Sequence, residues 1–251
     1  MKGGIVAAIM ALRALRLSEK VLGARRIEFH SVIEEEDTGN GALAVVNHCC
    51  PEQEGSVCLI PEPLKGIMTC QLGVMWMDLV VKGKPVHVLD TGAGSNAIEN
   101  AFALVRELKG LEERWNDRKA DYPEYAQHPH PINFNLGIIE GGVWNSSVPA
   151  SCTARLRLGF YPGQEPKAVR AEVEAFLAER SKDLGLAESY DVQYRGFQAE
   201  GYVLKDDTNP LNKTFFDTLQ LAHKSVCGTP APLAPATCTT DCRAYARVGI
   251  P

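Results

Sequence analysis

Long apolar runs are missing from this 251-residue sequence, and so is the basic, apolar, small-residue order of a secretory leader. These two absences exclude a membrane-spanning helix and lead us to expect a cytoplasmic protein with no membrane partner. Basic clusters are missing too: 26 Lys and Arg are scattered among 31 Asp and Glu, for a net charge of −5. A chain of that kind has no electrostatic footprint for nucleic acid. The eight cysteines form no C-x-x-C pair and no zinc-finger spacing, so they read as core thiols rather than a metal knot or a disulfide framework. Internal repeats and low-complexity tracts are absent, which excludes solenoids and linkers. What is there is 45% hydrophobic residues, enough for one large or two small globular domains.

Apolar residues recur at helical spacing in Ile5, Ile9, Leu12 and Leu15, and the β-rich IEFHSVI follows after a charged turn. GALAVVNHC reads as a second helix and SVCLIPEP as a second strand that ends at a proline. This alternation predicts a parallel-type α/β layer over residues 1–68, where ligands gather beyond the carboxyl ends of strands. Two acidic motifs, EEED and PEP, fall at those ends. From Thr69 the texture changes to LGVMWMDLVVKG, NAIENAFALVRELKGLEERW, INFNLGIIEGG, ASCTARLRLGF, EPKAVRAEVEAFLAERSKD and YDVQYRGFQAE. That order is β-α-β-β-α-β, the split βαβ pattern of ferredoxin-like domains. We therefore expect a two-domain α/β protein, with residues 69–200 as a lid interrupting a catalytic layer made of residues 1–68 and 201–251. NPLNKTFFDTLQLAHKSV resumes as a helix, and we expect no closing element after it.

The run IEEEDTGNGA concentrates negative charge before a glycine-punctuated turn. If strand alternation persists there, Glu35 and Glu36 point to different sides, so that one can grip a cation while the other moves a proton. A plain solvated acidic turn accounts for the same residues. An EF-hand does not, because Asn47 stands where a loop begun at Glu36 requires a bidentate Glu. Glu62, after LIPEP's apolar stretch, is costly there unless paired or metal-bound, although a Glu at a strand end is common. His87 follows a strand of the middle segment and reads equally as a surface histidine. His128 and His130 in YAQHPHP look like a metal pair, but the flanking prolines favour a solvated linker, and His30 and His48 read as structural.

Five motifs occur in one order: EEEDTGNGA, VCLIPEP, VKGKPVHV with GSNAIENA, PINFNLGIIEGG with VPASC, and TTDCRAYARVGIP. Together the chain resembles, over nearly its whole length, the metal-dependent amidohydrolases and peptidases that include acetylornithine deacetylase, succinyl-diaminopimelate desuccinylase, aminoacylase and glutamate carboxypeptidase. The resemblance implies two divalent ions, zinc or cobalt, about 3.5–4 Å apart around a water. It implies Glu35 as general base, Glu36 and Glu62 as metal ligands, and His87 as the group that reaches the oxyanion from the lid of a partner subunit, hence a homodimer. It also implies Arg243 and Arg157 as arginines that recognise the substrate carboxylate, a task for a guanidinium fork. For Arg157 a surface ion pair reads equally well. An Asn that relatives carry before the VP proline has Ser146 in its place, so its role is not carried over.

Relatives read D-M-K-G-G and carry an upstream H-x-D, and they continue past the GIP segment to a late His. This sequence begins at Met1-Lys2-Gly3-Gly4 and ends at Pro251. By that resemblance Met1 is expected to be internal, both ends to be cut, and this polypeptide alone to be inactive. The function expected of the whole protein is hydrolysis of the N-acyl amide of an amino acid or similar small amine, closest to acetylornithine deacetylase. Desuccinylase, deformylase and carboxypeptidase activities are the alternatives within the family, and a non-catalytic metabolite-binding relative is the alternative outside it.

Overall fold

The computed structural model describes residues 2–18, 26–49, 56–64, 66–204 and 210–251, and the chain divides into two compact units. One comprises Met1–Thr69, Leu204–Ala234 and Thr240–Pro251; the other comprises Cys70–Val203 and Pro235–Thr239.

The first unit holds helices α1 (Lys2–Leu17) and α2 (Asn40–His48), with strand β1 (Ile67–Gln71) leaving it. The spacing of Ile5, Ile9, Leu12 and Leu15 does yield a helix, but no side chain of α1 is buried, and Ile5, Ile9 and Leu15 are exposed. IEFHSVI and SVCLIPEP, expected as strands, are irregular instead. Among the described residues neither has a ladder neighbour, and β-propensity without a partner strand gives only loose chain. The backbone of the second segment is tied down at Cys58, whose N–H donates to the Pro251 carbonyl at 2.7 Å.

The second unit contains β2 (Gly73–Lys82), α3 (Ala97–Asp117), β3 (Phe134–Gly141), β4 (Ser151–Phe160), α4 (Pro166–Asp183), β5 (Tyr190–Gln193), β6 (Gln198–Ala199) and β7 (Tyr202–Val203). Its antiparallel sheet runs β3-β4-β2-β5, with β6 also on β2, which is the ferredoxin-like order. The period-two pattern of GVMWMDLVVK explains β2: Met75, Met77, Leu79 and Val81 are fully buried, while Trp76, Asp78, Val80 and Lys82 face the other way. The helix α3 starts at Asn96, whose side-chain oxygen accepts the Ile98 and Glu99 N–H groups. Its Ala97, Ala101, Leu104, Leu108, Leu111 and Trp115 fall on one face and fill the core with α4 and the inner faces of β2 and β4.

The returning chain adds α5 (Pro210–Cys227), β8 (Leu233–Ala236) and α6 (Cys242–Ala246). Thus a strand follows the helix for which no closing element was expected, and β8 takes the edge of a three-stranded sheet of order β7-β1-β8. Pro235–Thr239 belongs to the second unit and is tied within it, because Tyr125 Oη donates to Ala236 O at 2.9 Å and Thr239 Oγ1 to Leu72 O at 3.1 Å. The stretch read as one last strand is split into β5 and β6 around Gly196, which sits at φ 75°. None of the seven described cysteines forms a disulfide; Cys50 lies outside the described residues.

Candidate active site

A small core organises the acidic residues of the first unit. Ala42 and Val46 of α2 pack on Ala244 and Tyr245 of α6 and on Ile250, with Cys58 and Ile60 against them. This core holds three segments together: the turn before α2 carries Glu35 and Glu36, the chain after Ile60 carries Glu62, and the start of α6 carries Asp241 and Arg243.

The turn is built by Glu34, the one described non-glycine residue at positive φ (63°). Its carbonyl accepts Gly39 N–H at 2.7 Å and Asp37 N–H at 3.2 Å. Its carboxylate accepts the Thr38 hydroxyl and, at 3.0 Å, the Asn40 side-chain N–H. Left-handed backbone at a non-glycine residue costs on the order of 1 kcal/mol, and here those four bonds hold it. Glu35 and Glu36 therefore leave a turn, not a strand, and still part company: Glu35 is half-buried and Glu36 exposed. Gly39 shows why the sequence needs glycine after the acids. It caps α2 at φ 70°, and a Cβ there would stand 2.6 Å from Asp241 Oδ1 and about as close to the Arg243 guanidinium.

Electrostatics sharpens the cluster. Burial, then the negative charges of Glu62, Asp241 and Glu36, push the Glu35 carboxyl up to about 7, with Arg243 opposing. Burial also raises Glu62, as do Glu36 and Asp241. Burial raises Asp241 as well, and Arg243 pulls the other way. The Arg243 guanidinium, lowered by burial, donates to the carbonyls of Thr38 and Thr240. Arg243 thus opposes the rise at Glu35 and Asp241, and burial still keeps Glu35, Glu62 and Asp241 raised.

Such a set fits a divalent cation in charge and in donor type, since all its donors are oxygens. The fit is looser than a single-ion cage. Among the described residues, the one trio of ligand groups whose atoms all lie within 4.8 Å is Glu112, Glu113 and His130 of the other unit.

The sign of the pH dependence follows for the metal-free chain. Glu35 titrates near 7 when folded but near its ordinary value of 4.5 when unfolded. Between these values the folded chain keeps a proton that the unfolded chain has released, so stability falls as pH rises through that window. Glu62 and Asp241 act in the same sense. We expect the thermal midpoint of metal-free protein to drop from pH 5 to pH 8 at constant ionic strength, with a shallower drop in Glu35→Gln. Equal slopes in the two proteins would contradict the coupling.

His87 and Arg157 lie in the second unit. His87 is exposed, ring to ring with Trp144 at 5.8 Å, and its segment pairs with Ser146–Val148, so the VKGKPVHV and VPASC motifs are held side by side. Leu89 N–H donates to His87 Nδ1 at 3.2 Å, which leaves Nε2 of the neutral ring as the protonated nitrogen. Arg157 stands on the outer face of β4 opposite Trp76, and its guanidinium, lowered by burial, donates to Thr237 O at 3.2 Å. No carboxylate lies within 4.0 Å of it among the described residues, so the surface ion pair read for Arg157 is not made.

His130 corrects the reading of YAQHPHP as solvated linker. Its Nε2 bonds Glu112 Oε1 at 3.0 Å, inside a network with Asn116 and Lys109. Asp241 is the group that sequence reasoning missed. Its one signal was its place in TTDCR, two residues before the arginine that drew attention.

Comparison with known proteins adds independent findings. Residues 69–184 match the peptidase dimerisation domain. The chain is 26% identical over 204 residues to the N-formyl-4-amino-5-aminomethyl-2-methylpyrimidine deformylase of Bacillus subtilis, covering 76% of this chain and 46% of that protein. Its fold is like that of aminopeptidase PepT from Bacillus cereus, with TM-score 0.57 at 16% identity, over 88% of this chain and 53% of that one. A tripeptidase from Staphylococcus aureus gives TM-score 0.53 at 15% identity, over 76% and 46% respectively. The chain thus spans about half the length of the relatives it matches. No helix among the described residues is long and apolar enough to cross a membrane.

Proposed function

We propose that this chain, which belongs to the family of metal-dependent amidohydrolases and peptidases, serves a hydrolase that cleaves the N-acyl amide of an amino acid or related small amine. The observation that carries the proposal is the carboxyl of Glu35, pushed to about 7 among Glu62, Asp241 and Glu36. A general base is most effective when its pKa is near the working pH, and a binding protein has no use for one beside its ligands.

In this reading Glu36 and Glu62 hold divalent ions, zinc or cobalt, which when bound lower the pKa of a water and polarise the amide carbonyl. Glu35 takes the proton of the attacking water and delivers it to the leaving amine nitrogen. His87, with Nε2–H free to donate, serves the developing oxyanion, contributed by a second copy of the chain. Arg243 and Arg157 orient a substrate carboxylate; an Arg157 with no carboxylate partner in its own unit supports that role.

The homodimer rests on the dimerisation-domain match. Sedimentation of the whole protein as a monomer at micromolar concentration would refute it. The acyl group is tested with a panel of N-acetyl, N-succinyl and N-formyl substrates and a tripeptide, offered to the whole protein with zinc or cobalt. The deformylase name of the curated relative keeps the formyl group in the panel. We expect metal-dependent cleavage of at least one N-acyl substrate. Cleavage of the tripeptide alone would replace the deacylase by a peptidase, and no turnover at all would overturn the proposal.

A further inference from the structure

Large apolar side chains stand exposed on both segments that meet at His87. Trp144 is 60% exposed and Val143 98% on one segment, and Leu89 is 90% exposed and Val88 43% on the other. Singly such residues are ordinary on a surface, but an apolar group gathered around one polar side chain marks a place where something binds. The same unit shows how it treats an indole meant for packing: Trp115 is 1% exposed, in the core. Trp144 is kept outside by contrast.

The backbone fixes where that indole stands. Trp144 lies in the β3–β4 connection, after Gly142 turns the chain at φ 76°, and its carbonyl accepts both the N–H and the hydroxyl of Ser147 at 3.2 Å. This turn is fastened to the His87 segment, because Val148 N–H donates to Val86 O at 2.8 Å and Val88 N–H to Ser146 O at 3.3 Å. The two rings of Trp144 and His87 are thereby held 5.8 Å apart at 59°. Wherever His87 works, Trp144 is beside it. A carbonyl oxygen about 3 Å from His87 Nε2 brings the groups bonded to that carbonyl within reach of the indole.

We propose that Trp144 is a specificity-determining residue, whose indole receives a flat apolar ring carried beside the scissile amide of the substrate, with Val143 and Leu89 flanking it. This inference rests on the reading of His87 as the group that a second copy of the chain brings to the oxyanion, and it adds a substrate class that the reading leaves open. An indole offers a ring a large stacking or edge surface at little cost in side-chain entropy. It also attracts cations, but the aliphatic Val143 and Leu89 suit an uncharged group. The ring can belong to the amine or to the acyl group, and the probes below separate the two.

The test is the selectivity of the whole protein, with cobalt, among N-acetyl-L-phenylalanine, N-benzoyl-L-alanine, N-acetyl-L-ornithine and N-acetyl-L-alanine. The first bears a ring on the amine side, the second a ring on the acyl side, the third a cation and the last none of these. We expect kcat/KM for a ring-bearing probe to exceed that for N-acetyl-L-alanine, and Trp144→Ala to shrink this ratio by about 10-fold. Trp144→Phe, which keeps a ring, should retain most of it. A structural residue would lower all rates together and leave the ratio, which would overturn the inference. So would a collapse confined to N-acetyl-L-ornithine, or loss of the dimer in Trp144→Ala with the ratio unmoved, which would turn the indole toward the second copy. His87→Ala should lower every rate by about 10²–10³-fold. No loss there would remove the reading of His87 and this inference with it, whereas that loss beside an unmoved ratio in Trp144→Ala removes this inference alone. Should none of the four be cleaved, the inference falls, and cleavage of an N-succinyl or N-formyl substrate would still keep the hydrolase reading. If Trp144→Ala does not fold, the Trp144 indole N–H resonance of the metal-free protein decides: it should shift with a ring-bearing probe and not with N-acetyl-L-alanine, and an equal response to both would overturn the assignment.

Discussion

Glu35→Gln lowers turnover of the whole protein by about 10²–10⁴-fold while leaving cobalt affinity within a few-fold. The two halves of this expectation come from two neighbours doing different work. Glu35 is half-buried, with its carboxyl raised to about 7, so near neutral pH it can both accept a proton and give it up. The amide of Gln fills the same volume and can still hydrogen-bond a water, but it cannot take the proton away. Glu36 and Glu62, which the proposal assigns to the ions, are untouched. The pH profile separates a base from a structural residue: the rise of kcat through pH 7 should vanish in Glu35→Gln, whereas a merely disturbed site would lose rate at every pH and keep the rise. Bound cations lower a nearby carboxyl's pKa, so the limb in the loaded enzyme should lie below the metal-free value of about 7. A loss smaller than tenfold, with the limb intact, would remove Glu35 from the chemistry.

Local pattern made the second unit legible. The alternation in GVMWMDLVVK and the helical stripe from Ala97 to Trp115 each follow from a single periodicity, and the topology follows once strands and helices are ordered along the chain. The first unit was harder, for a physical reason. IEFHSVI has strand residues, but a strand exists only where a neighbour completes its hydrogen bonds, and that neighbour cannot be read from the segment itself. The acidic turn was legible as chemistry through EEED, while its geometry was not: a non-glycine residue at φ 63°, held by Thr38 and Asn40, has no signature beyond the residues that happen to bond it. Asp241 was invisible because burial without a partner is a property of three converging segments, not of TTDCR. His130 was misread because its partner, Glu112, lies 18 residues away on α3.

Glu112→Ala should destabilise the second unit by roughly 3–5 kcal/mol. Glu112 is 4% exposed, and its carboxylate acts as a spliced-in piece of backbone. Oε2 accepts the Phe134 N–H at 2.6 Å and the Lys109 ammonium at 2.6 Å, and Oε1 meets His130 Nε2 at 3.0 Å. Asn116, one turn further along α3, completes the splice by donating to Ile132 O at 2.9 Å and accepting Ile132 N–H at 3.0 Å. The two side chains give the chain entering β3 the partners that a strand would otherwise provide, and so fix where Phe134 enters the core against Trp115. Truncation strands the Phe134 N–H in a dry interior, whereas Lys109, about half exposed, can turn to water, so the lower end of that range is the better guide. Glu112→Gln retains an acceptor for Phe134 N–H and should lose clearly less. Chemical denaturation of the three proteins measures the order. The same contacts decide what Glu112, Glu113 and His130 are for. Their ligand atoms lie within 4.8 Å of one another, as an ion would require, yet the Glu112 oxygens are already filled by three donors, and an ion could enter only by breaking them. Zinc affinity should therefore be the same in Glu113→Ala as in the unaltered protein, and a fall of tenfold or more would turn this network into a metal site.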